Sequence, residues 1–283
     1  MKVMVTGSNG QLGTDLCKEL SKRNIEVIGA DIDRLDITDK QAVNAFMDEQ
    51  KPDAVIHLAA YTAVDKAEED KEACTRLNVE GTENIAEYCG KNNIKIIYTS
   101  TDYVFGGMGD DYLETDAPVA PCNIYGLTKL QGEEIVKKLC NKYFIVRISW
   151  VFGVNGKNFV YTMLRLAETR DNLTVVGDQI GSPTFTPHLS VLLADMVLTE
   201  KYGTYHASNE GLCSWADFAS EIMKLSGKST KITAIPSSDY PTAARRPLNS
   251  RLSKKSLDEA GFNRLPTWQE ALKEFLSETG NLI

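Results

Sequence analysis

The amino-acid sequence predicts an α/β fold, a doubly wound parallel sheet with a smaller C-terminal lobe. Short apolar runs rich in β-branched residues alternate with helical stretches through the first 150 residues, as expected for parallel strands joined by right-handed crossovers. A glycine-rich turn joins the first run to the first helical stretch. After residue 150 the alternation loosens, and loops dense in Gly, Pro and Thr become frequent. We therefore expect a sheet domain at 1–150, joined by helices from about 186–200, and a second lobe at 151–283.

The elements follow from the spacing of apolar residues. The first strand, 3–5, precedes the glycine turn, and leucines 12, 16 and 20 then recur at helical spacing. Further apolar runs predict strands at 26–31, 54–58, 94–98 and 144–148. The segments 62–65 and 267–270 each begin with Thr and end with Asp or Glu, which is the form of a capping box at the start of a helix.

The composition indicates a cytoplasmic enzyme or regulatory protein. The net charge is −8, which argues against a general nucleic-acid surface. The six cysteines form neither a C-x-x-C motif nor a Cys/His cluster, so we expect no disulfide framework and no bound metal. No apolar run approaches the roughly 20 residues of a membrane span. A strand at the very start leaves no room for a signal peptide. We therefore predict no nucleic-acid partner and no membrane association.

The turn Gly7-x-x-Gly10-x-x-Gly13 lies between a predicted strand and a predicted helix. Glycines there allow the backbone to approach a dinucleotide pyrophosphate, which the amides at the helix N-terminus then face. Asp31, at the end of the second strand, is placed to bind the adenosine ribose hydroxyls. Its charge would repel a ribose phosphate, so we predict NADH, with NADPH possible because Arg34 is close by. The alternatives are a purely structural turn and a solvated acid.

Tyr125 and Lys129 are four residues apart on a predicted helix, so the phenol and the ammonium group share one face, about 6 Å apart along the axis. Reduction of a ketone needs a hydride at carbon and a proton at oxygen. A tyrosine with a pKa of about 10 is a poor proton donor at neutral pH, and a nearby cation favours its phenolate form. Thr101, which ends the fourth strand, is the candidate for orienting the carbonyl. The alternative is a packed tyrosine beside a solvated lysine, and the glycine turn in the same chain argues against it.

At these residues the chain resembles the extended short-chain dehydrogenase/reductase family, which acts largely on nucleotide sugars. The glycine turn and the Tyr-x-x-x-Lys pair match the family pattern, as do Asp36–Ile37, His57–Leu58–Ala59–Ala60 and Asn78-x-x-Gly81-Thr82-x-Asn84. Segments 62–68, 100–105, 147–151, 178–184 and 246–252 look like those of family reductases that act on dTDP-linked keto-deoxysugars. The resemblance covers most of the chain and implies a Rossmann-type sheet, an NAD(P)H cofactor and a sugar-nucleotide substrate.

The resemblance also implies roles for single residues. Tyr125 would donate the proton, Lys129 would be its partner, and Thr101 would orient the carbonyl. The residues predicted to line the cofactor, the glycines of the turn included, are Gly7, Gly10, Gln11, Leu12, Gly13, Asp31, Asp36, Ile37, Ala60, Tyr61, Thr62, Tyr125 and Lys129. Those predicted to contact the sugar nucleotide are Thr101, Asp102, Trp150 and Arg246, the last from chemistry alone because a guanidinium suits a diphosphate.

Several alternatives stay open from the sequence. Trp150 ends an apolar strand and would serve equally as core, and Arg246 would serve as a surface ion pair. Another deoxysugar reductase or an epimerase would share most of these motifs. The regulatory subunit of methionine adenosyltransferase also resembles the family and works by binding a catalytic partner. Some family reductases dimerise through magnesium held by glutamates; Asp15 falls where one such acid lies, but 184–188 offers no carboxylate. We expect a monomer or a homodimer.

Overall fold

A computed structural model describes all residues, 1–283. The strands are β1 Lys2–Thr6, β2 Glu26–Ala30, β3 Ala54–His57, β4 Lys95–Thr101, β5 Tyr143–Ile148, β6 Val151–Phe152, β7 Asn172–Val176, β8 Ile180–Gly181, β9 Thr184–Phe185, β10 Gly203–His206, β11 Cys213–Ser214 and β12 Lys231–Ile235. The helices are α1 Gln11–Lys22, α2 Lys40–Gln50, α3 Val64–Glu69, α4 Lys71–Thr75, α5 Gly81–Lys91, α6 Ile124–Leu139, α7 Phe159–Leu166, α8 Thr186–Val197, α9 Trp215–Leu225, α10 Lys255–Ala260 and α11 Trp268–Glu278. A π-helical turn, Arg76–Glu80, joins α4 to α5.

Six strands form a central parallel sheet in the order β10-β5-β4-β3-β1-β2. The predicted α/β fold with a doubly wound parallel sheet is therefore confirmed. From β1 the chain adds β2 on one side and then β3, β4 and β5 on the other, so the switch point lies between β1 and β3. In parallel sheets such a switch point opens a crevice at the carboxyl ends of the strands. The sixth strand, β10, was not predicted, because its four residues begin with a glycine and are too few to show a periodic pattern.

Helices cover both faces of this sheet. On one face α1 and α8 pack against alternate strand residues such as Val3, Val5 and Ile56, with Leu12, Leu16 and Leu20 of α1 pointing into the same core. On the other face α2, α5 and α6 cover the intervening residues, which include Met4, Val55 and Ile145. Strands buried on both sides read as continuous apolar runs, which is why the sequence showed them.

Residues beyond 150 build a second core of their own. Helices α7, α9 and α11 contribute to it, and at its centre the aromatic rings of Phe185, Phe218 and Phe275 pack against Phe152. Three two-stranded ladders complete this part: β12 with β7, β11 with β8, and β6 with β9. The same stretch of chain also returns α8 and β10 to the central sheet. The division at residue 150 stays a prediction.

The two predicted capping boxes had different outcomes. At α11 the Thr267 hydroxyl accepts the Glu270 amide and the Glu270 carboxylate accepts the Thr267 amide, so this box is confirmed. The box at 62–65 is wrong: α3 begins at Val64 after Ala63, with no side-chain cap. The carboxylate of Asp65 instead accepts hydrogen bonds from the distant Ala244 amide and Arg246 guanidinium. None of the helices is both long enough and apolar enough to cross a membrane.

Candidate active site

The glycine turn lies at the carboxyl end of β1, where the chain must turn sharply into α1. Gly7 has a φ of +65°, and a Cβ on it would lie 2.9 Å from the Ala59 amide nitrogen. A Cβ on Gly13 would overlap the Gly7 carbonyl oxygen. Only a glycine at this position therefore allows α1 to pack so closely against the turn. Gly10 is the N-cap residue of α1, and no side chain caps the first turn of that helix. Its amide groups therefore remain available to an anion.

Asp31 follows β2 directly and lies against the turn. Its carboxylate accepts hydrogen bonds from the Asn9 amide at 2.9 Å and from the Ile32 amide at 2.8 Å. Arg34, which was expected to soften the charge of Asp31, donates instead to the Gly29 carbonyl at 2.5 Å and lies over the Phe46 ring. Asp31 therefore lines the cleft and forms no ion pair with Arg34.

A cleft of about 1030 Å³ brings most of the predicted residues together. The predicted residues that line it are Gly7, Gly10, Gln11, Leu12, Gly13, Asp31, Asp36, Ile37, Ala60, Thr62, Thr101, Asp102, Tyr125, Lys129 and Trp150. Tyr61 and Arg246 do not line it. The side chain of Asn78 holds the backbone of Tyr61 through two hydrogen bonds. It accepts one from the Tyr61 amide at 2.7 Å and donates one to the Tyr61 carbonyl at 3.2 Å.

Helix α6 carries Tyr125 and Lys129 into the cleft. The side chain of Asn123 caps the helix by accepting the Gly126 amide at 2.7 Å. A Cβ on Gly126 would overlap the Tyr103 carbonyl oxygen, so this glycine lets the first turn of α6 lie against the end of β4. Lys129 is 3% exposed, with its Nζ 4.1 Å from the centre of the Tyr98 ring. The prediction that Tyr125 and Lys129 lie on one helix is confirmed.

Burial controls the ionisation of this pair. It lowers the pKa of Lys129 to about 7, and the nearby Glu133 carboxylate opposes that shift. It raises the pKa of Tyr125, while the nearby Thr101 side chain favours the phenolate and opposes the rise. We expected Lys129 to lower the pKa of Tyr125. In the protein, the pKa of Tyr125 is raised instead, because burial disfavours the phenolate.

A buried network that the sequence analysis did not name ties α6 to the sheet. The fully buried carboxylate of Glu133 accepts from the Ser100 hydroxyl at 2.5 Å and from two nitrogens of Arg147 at 2.9 and 2.7 Å. Glu133 lies one helical turn after Lys129 on the same face, and that spacing was the available signal. Ser100 adjoins Thr101, so the network holds the end of β4 in register with the helix that carries Tyr125.

Thr101, Asp102 and Trp150, three of the residues predicted to contact the substrate, line the cleft. The Thr101 hydroxyl donates to Asp102 Oδ1 at 3.0 Å, and the Ser250 hydroxyl donates to Asp102 Oδ2 at 2.5 Å. Burial raises the pKa of Asp102 to about 6. Trp150 has a φ of +49°, a strained conformation for a tryptophan, and its ring stacks on Trp215 at 3.9 Å. Trp150 is half-buried at the cleft wall, so the packing role considered from the sequence is at most partial.

Arg246 lines a second cavity, of about 890 Å³, which shares Tyr103, Phe159 and Trp215 with the cleft. Its guanidinium pairs with the Asp65 carboxylate at 2.6 and 3.1 Å, as the surface ion-pair alternative required. The same side chain nevertheless faces the second cavity. Its contact with a diphosphate stays a prediction.

Asp15, the acid considered for a metal site, is bound within the protein. Its carboxylate accepts from the Thr186 hydroxyl at 2.6 Å and from the Asn155 amide at 3.2 Å. No group of three or more His, Cys, Asp or Glu side chains is arranged to hold a metal ion.

The residues that line the cleft suit a nicotinamide dinucleotide. The uncapped start of α1 and the glycine turn suit the pyrophosphate, and Asp31 suits the adenosine ribose. Along the same cleft, Tyr125 and Lys129 occupy the opposite side from Asp31, beyond the carboxyl ends of β4 and β5. A dinucleotide bound on the turn would therefore place its reactive ring beside the phenol.

Comparison with known proteins agrees with this geometry. Residues 1–281 match the family model described as the RmlD substrate binding domain. The chain is 40% identical over 277 residues to the spore coat polysaccharide biosynthesis protein SpsK of Bacillus subtilis, covering 98% of this chain and 97% of that one. The crystal structure of a dTDP-4-dehydrorhamnose reductase from Clostridium acetobutylicum has a TM-score of 0.97 and 42% identity, over 99% of this chain and 100% of that one.

The chain belongs to the dTDP-4-dehydrorhamnose reductase family. The resemblance inferred from the sequence motifs is thereby confirmed. Another structure in the dTDP-4-dehydrorhamnose reductase family, from Bacillus anthracis, was determined in complex with NADP. It has a TM-score of 0.95 and 41% identity, over 98% of this chain and 99% of that one.

Proposed function

We propose that the chain reduces the 4-keto group of dTDP-4-dehydro-6-deoxy-L-mannose, giving dTDP-L-rhamnose. The observation that carries this proposal is the convergence of Thr101, Tyr125 and Lys129 in the cleft that also holds the glycine turn. Membership of the dTDP-4-dehydrorhamnose reductase family supports the choice of substrate. The product would serve the synthesis of a cell-surface polysaccharide, as the name of the Bacillus subtilis relative suggests.

Tyr125 is the proposed proton donor. The Thr101 hydroxyl, within hydrogen-bonding reach of the phenol, orients the sugar carbonyl and favours the phenolate that remains after proton transfer. Lys129, in its protonated form, would stabilise the phenolate and position the nicotinamide ribose. The bound nicotinamide supplies the hydride. Because water would compete for the proton and weaken these electrostatic contacts, the burial of Thr101 and Lys129 and the partial burial of Tyr125 favour the reaction.

The sugar nucleotide is proposed to lie across the two cavities. Asp102 and Trp150 would contact the sugar at the cleft, where both line the wall beside Tyr125. The nucleoside diphosphate would extend into the second cavity, whose wall includes Arg170, Arg245 and Arg246. Arg246 would then exchange part of its bond with Asp65 for a phosphate oxygen. The remaining cofactor contacts predicted from the sequence, Tyr61 included, stay proposals.

The complete set of Thr101, Tyr125 and Lys129 favours an enzyme over the non-catalytic regulatory subunit considered from the sequence. A binding subunit of the methionine adenosyltransferase type has no need of a tyrosine and a lysine from one helix in such a cleft. The six cysteines are all unpaired, and four are buried, which fits the proposed cytoplasmic location. A monomer or a homodimer remains the proposed assembly.

A turnover assay tests the proposal. Purified protein is mixed with NADH or NADPH and a panel of nucleotide keto-sugars, and loss of the reduced nicotinamide is followed together with product stereochemistry. The expected result is stoichiometric oxidation with the dTDP-linked keto-deoxysugar and formation of dTDP-L-rhamnose. Sugar conversion without net oxidation would establish an epimerase instead. Binding of the panel without any conversion would support the regulatory alternative.

A further inference from the structure

The loop between β6 and α7, residues 153–158, lies against the start of α1, where the cofactor pyrophosphate is proposed to bind. It engages both polar atoms of the Gln11 side chain. Gln11 Nε2 donates to the Lys157 carbonyl at 3.1 Å, and Gln11 Oε1 accepts from Asn158 Nδ2 at 3.2 Å. Gly156 has a φ of +77°, and a Cβ on it would lie 2.9 Å from Gln11 Cγ. The backbone of the loop is therefore held close to the first turn of α1.

Further hydrogen bonds fix both ends of this loop. Asn158 caps α7, because its Oδ1 accepts the Tyr161 amide at 3.1 Å, and its Nδ2 also donates to a carbonyl within the loop at 2.7 Å. Asn155 Nδ2 donates to Asp15 Oδ1 at 3.2 Å, one turn further along α1. The position of Lys157 is thus determined jointly by α1 and by α7, a helix of the second core.

The cleft offers little positive charge to a pyrophosphate. The charged side chains that line it are Asp31, Asp36, Asp102, Lys129 and Lys157. Three of these are acids, and the chain as a whole carries a net charge of −8. Burial lowers the pKa of Lys129 to about 7, and its proposed place is at the nicotinamide ribose. Lys157 is therefore the remaining cation of the cleft that could offset the negative charges of a pyrophosphate.

The side chain of Lys157 is available for such a contact. It is exposed, and it forms none of the ion pairs of the protein. The bond to Gln11 uses the Lys157 carbonyl, so it leaves the ammonium group free to turn toward a ligand. An ammonium group on a flexible four-carbon stem binds phosphate as a point charge, without demanding one fixed geometry.

We propose that Lys157 binds the pyrophosphate of the nicotinamide cofactor, and that the Gln11 side chain holds loop 153–158 in place for this contact. The inference rests on the proposed function for its cofactor, although not for its sugar substrate. The uncapped amides of α1 and the Lys157 ammonium group would share the phosphate oxygens. Lys157 is a residue that the sequence analysis did not name, because it belongs to no recognisable motif and reaches the cleft only through the folded loop.

A Lys157→Met variant removes the charge but keeps most of the stem and the carbonyl that Gln11 binds. We expect the Kd for NADH to rise about tenfold, as for loss of a hydrogen bond to a charged group. The Kd for ADP-ribose, which has the pyrophosphate but no nicotinamide, should rise equally. Fluorescence titration with NADH and its displacement by ADP-ribose measure these constants. Lys228→Met, the same change at an exposed position outside both cavities, is the control and should bind as wild type.

Three results with these variants would overturn the inference. An unchanged Kd for NADH in Lys157→Met would mean that the side chain does not contact the cofactor. A loss confined to NADPH would place the lysine at the additional ribose phosphate, and a loss confined to dTDP would place it at the sugar nucleotide. A wild type that binds NADH but converts no keto-sugar would count against the proposed function alone, so the two failures are distinguishable.

A double-mutant cycle tests the part played by Gln11. Gln11→Met removes both hydrogen bonds to the loop at nearly constant side-chain size. We expect the Kd for NADH to rise in this variant, because Lys157 is no longer held beside the pyrophosphate. Adding Lys157→Met should then raise it by no more than about twofold, since coupled residues do not contribute independently. If the two effects instead multiply in full, Lys157 acts without the help of Gln11 and this part of the inference is wrong.

Discussion

At the scale of single residues, burial makes the ionisation of side chains in the cleft sensitive to the groups around them. Lys129 would be charged throughout the neutral range in water, yet burial brings its pKa to about 7. The Glu133 carboxylate, one helical turn away, opposes that shift. A lysine so placed changes its charge with small changes in its surroundings, which suits a residue that must stabilise a phenolate only during part of the cycle.

Tyr125→Phe removes the proposed proton donor and leaves the ring that packs edge-on against Tyr103. We expect kcat to fall by at least about 100-fold, the usual contribution of general acid catalysis, while the Kd for NADH changes little. Steady-state kinetics and a fluorescence titration with NADH measure the two quantities. Tyr88→Phe is the control, because that hydroxyl bonds Asp48 on an exposed helix away from the cleft. Joint loss of turnover and NADH binding would indicate a structural tyrosine.

Asp31 is expected to make NADH the preferred cofactor, because its carboxylate would lie against the additional phosphate of NADPH. In Asp31→Ser the ratio of kcat/KM for NADH over NADPH should fall about tenfold, which corresponds to about 1.4 kcal/mol. Asp33→Ser, in the same turn but outside the cleft, should leave the ratio unchanged. A wild-type protein that clearly prefers NADPH would contradict the assignment, and the NADP complex of the Bacillus anthracis relative makes this measurement worthwhile.

At the scale of elements, α11 and α1 begin in different ways. Helix α11 only packs against the second core, and a complete capping box satisfies its first amides. Helix α1 begins at Gly10 without any side-chain cap, at the place proposed for a pyrophosphate. A polar cap there would compete with the ligand for the same amide groups. The first amides of α1 are therefore free of a side-chain cap where the anion is proposed to bind, although α3, α5, α8 and α10 also lack such a cap.

The two predicted capping boxes allow a direct comparison. Thr267→Ala is expected to lower the free energy of unfolding by about 1 kcal/mol, since it removes the hydroxyl that accepts the Glu270 amide. Thr62→Ala should change it by less than about 0.5 kcal/mol, because the Thr62 side chain caps nothing at α3. Urea denaturation of both variants without ligand measures the difference. Equal losses would mean that Thr62 does cap α3 in solution.

At the scale of the whole molecule, two histidines are buried where they cannot easily become charged. His57 joins β3 to β1 and α5 through hydrogen bonds with Thr6 at 2.7 Å and Thr82 at 3.1 Å. His206, at the end of β10, lies 3.4 Å from an Arg147 nitrogen. Burial lowers the pKa of each to about 3, and nearby lysine and arginine charges add to the effect.

These histidines predict a loss of stability in mild acid. Below their unfolded pKa of about 6.5 the unfolded chain binds protons that the native protein refuses, so the free energy of unfolding falls as the pH falls. Asp102 acts in the opposite direction between about 6 and 3.8, because its native form holds a proton there. With two histidines against one aspartate, we expect a net loss of about 1 kcal/mol per pH unit near pH 5.

Urea unfolding at a series of pH values from about 7 to 5 checks this expectation. In a His57→Gln variant the free energy of unfolding should fall less steeply as the pH falls, because one of the two neutral histidines is gone. Stability that stays constant or rises over this range would contradict neutral burial of the pair.

Much of the fold and part of the site were determined by the sequence alone. The parallel strands showed as apolar runs because both faces of the sheet are buried, and the glycine turn showed because only glycine fits between α1 and β3. Tyr125 and Lys129 were recognisable because their spacing is a property of one helix, α6. In each case the residues that interact are close in the chain, or the pattern repeats along it.

Only the tertiary structure decided the contacts between distant segments. The bond of Asp65 with Arg246 replaced a predicted cap, and the bonds of Glu133 with Arg147 and of Ser250 with Asp102 join residues whose pairing no local pattern records. The pKa values, too, depend partly on the sequence and partly on the tertiary structure. The sequence showed which groups titrate, but the burial that shifts them depends on how completely the folded chain excludes water from each group.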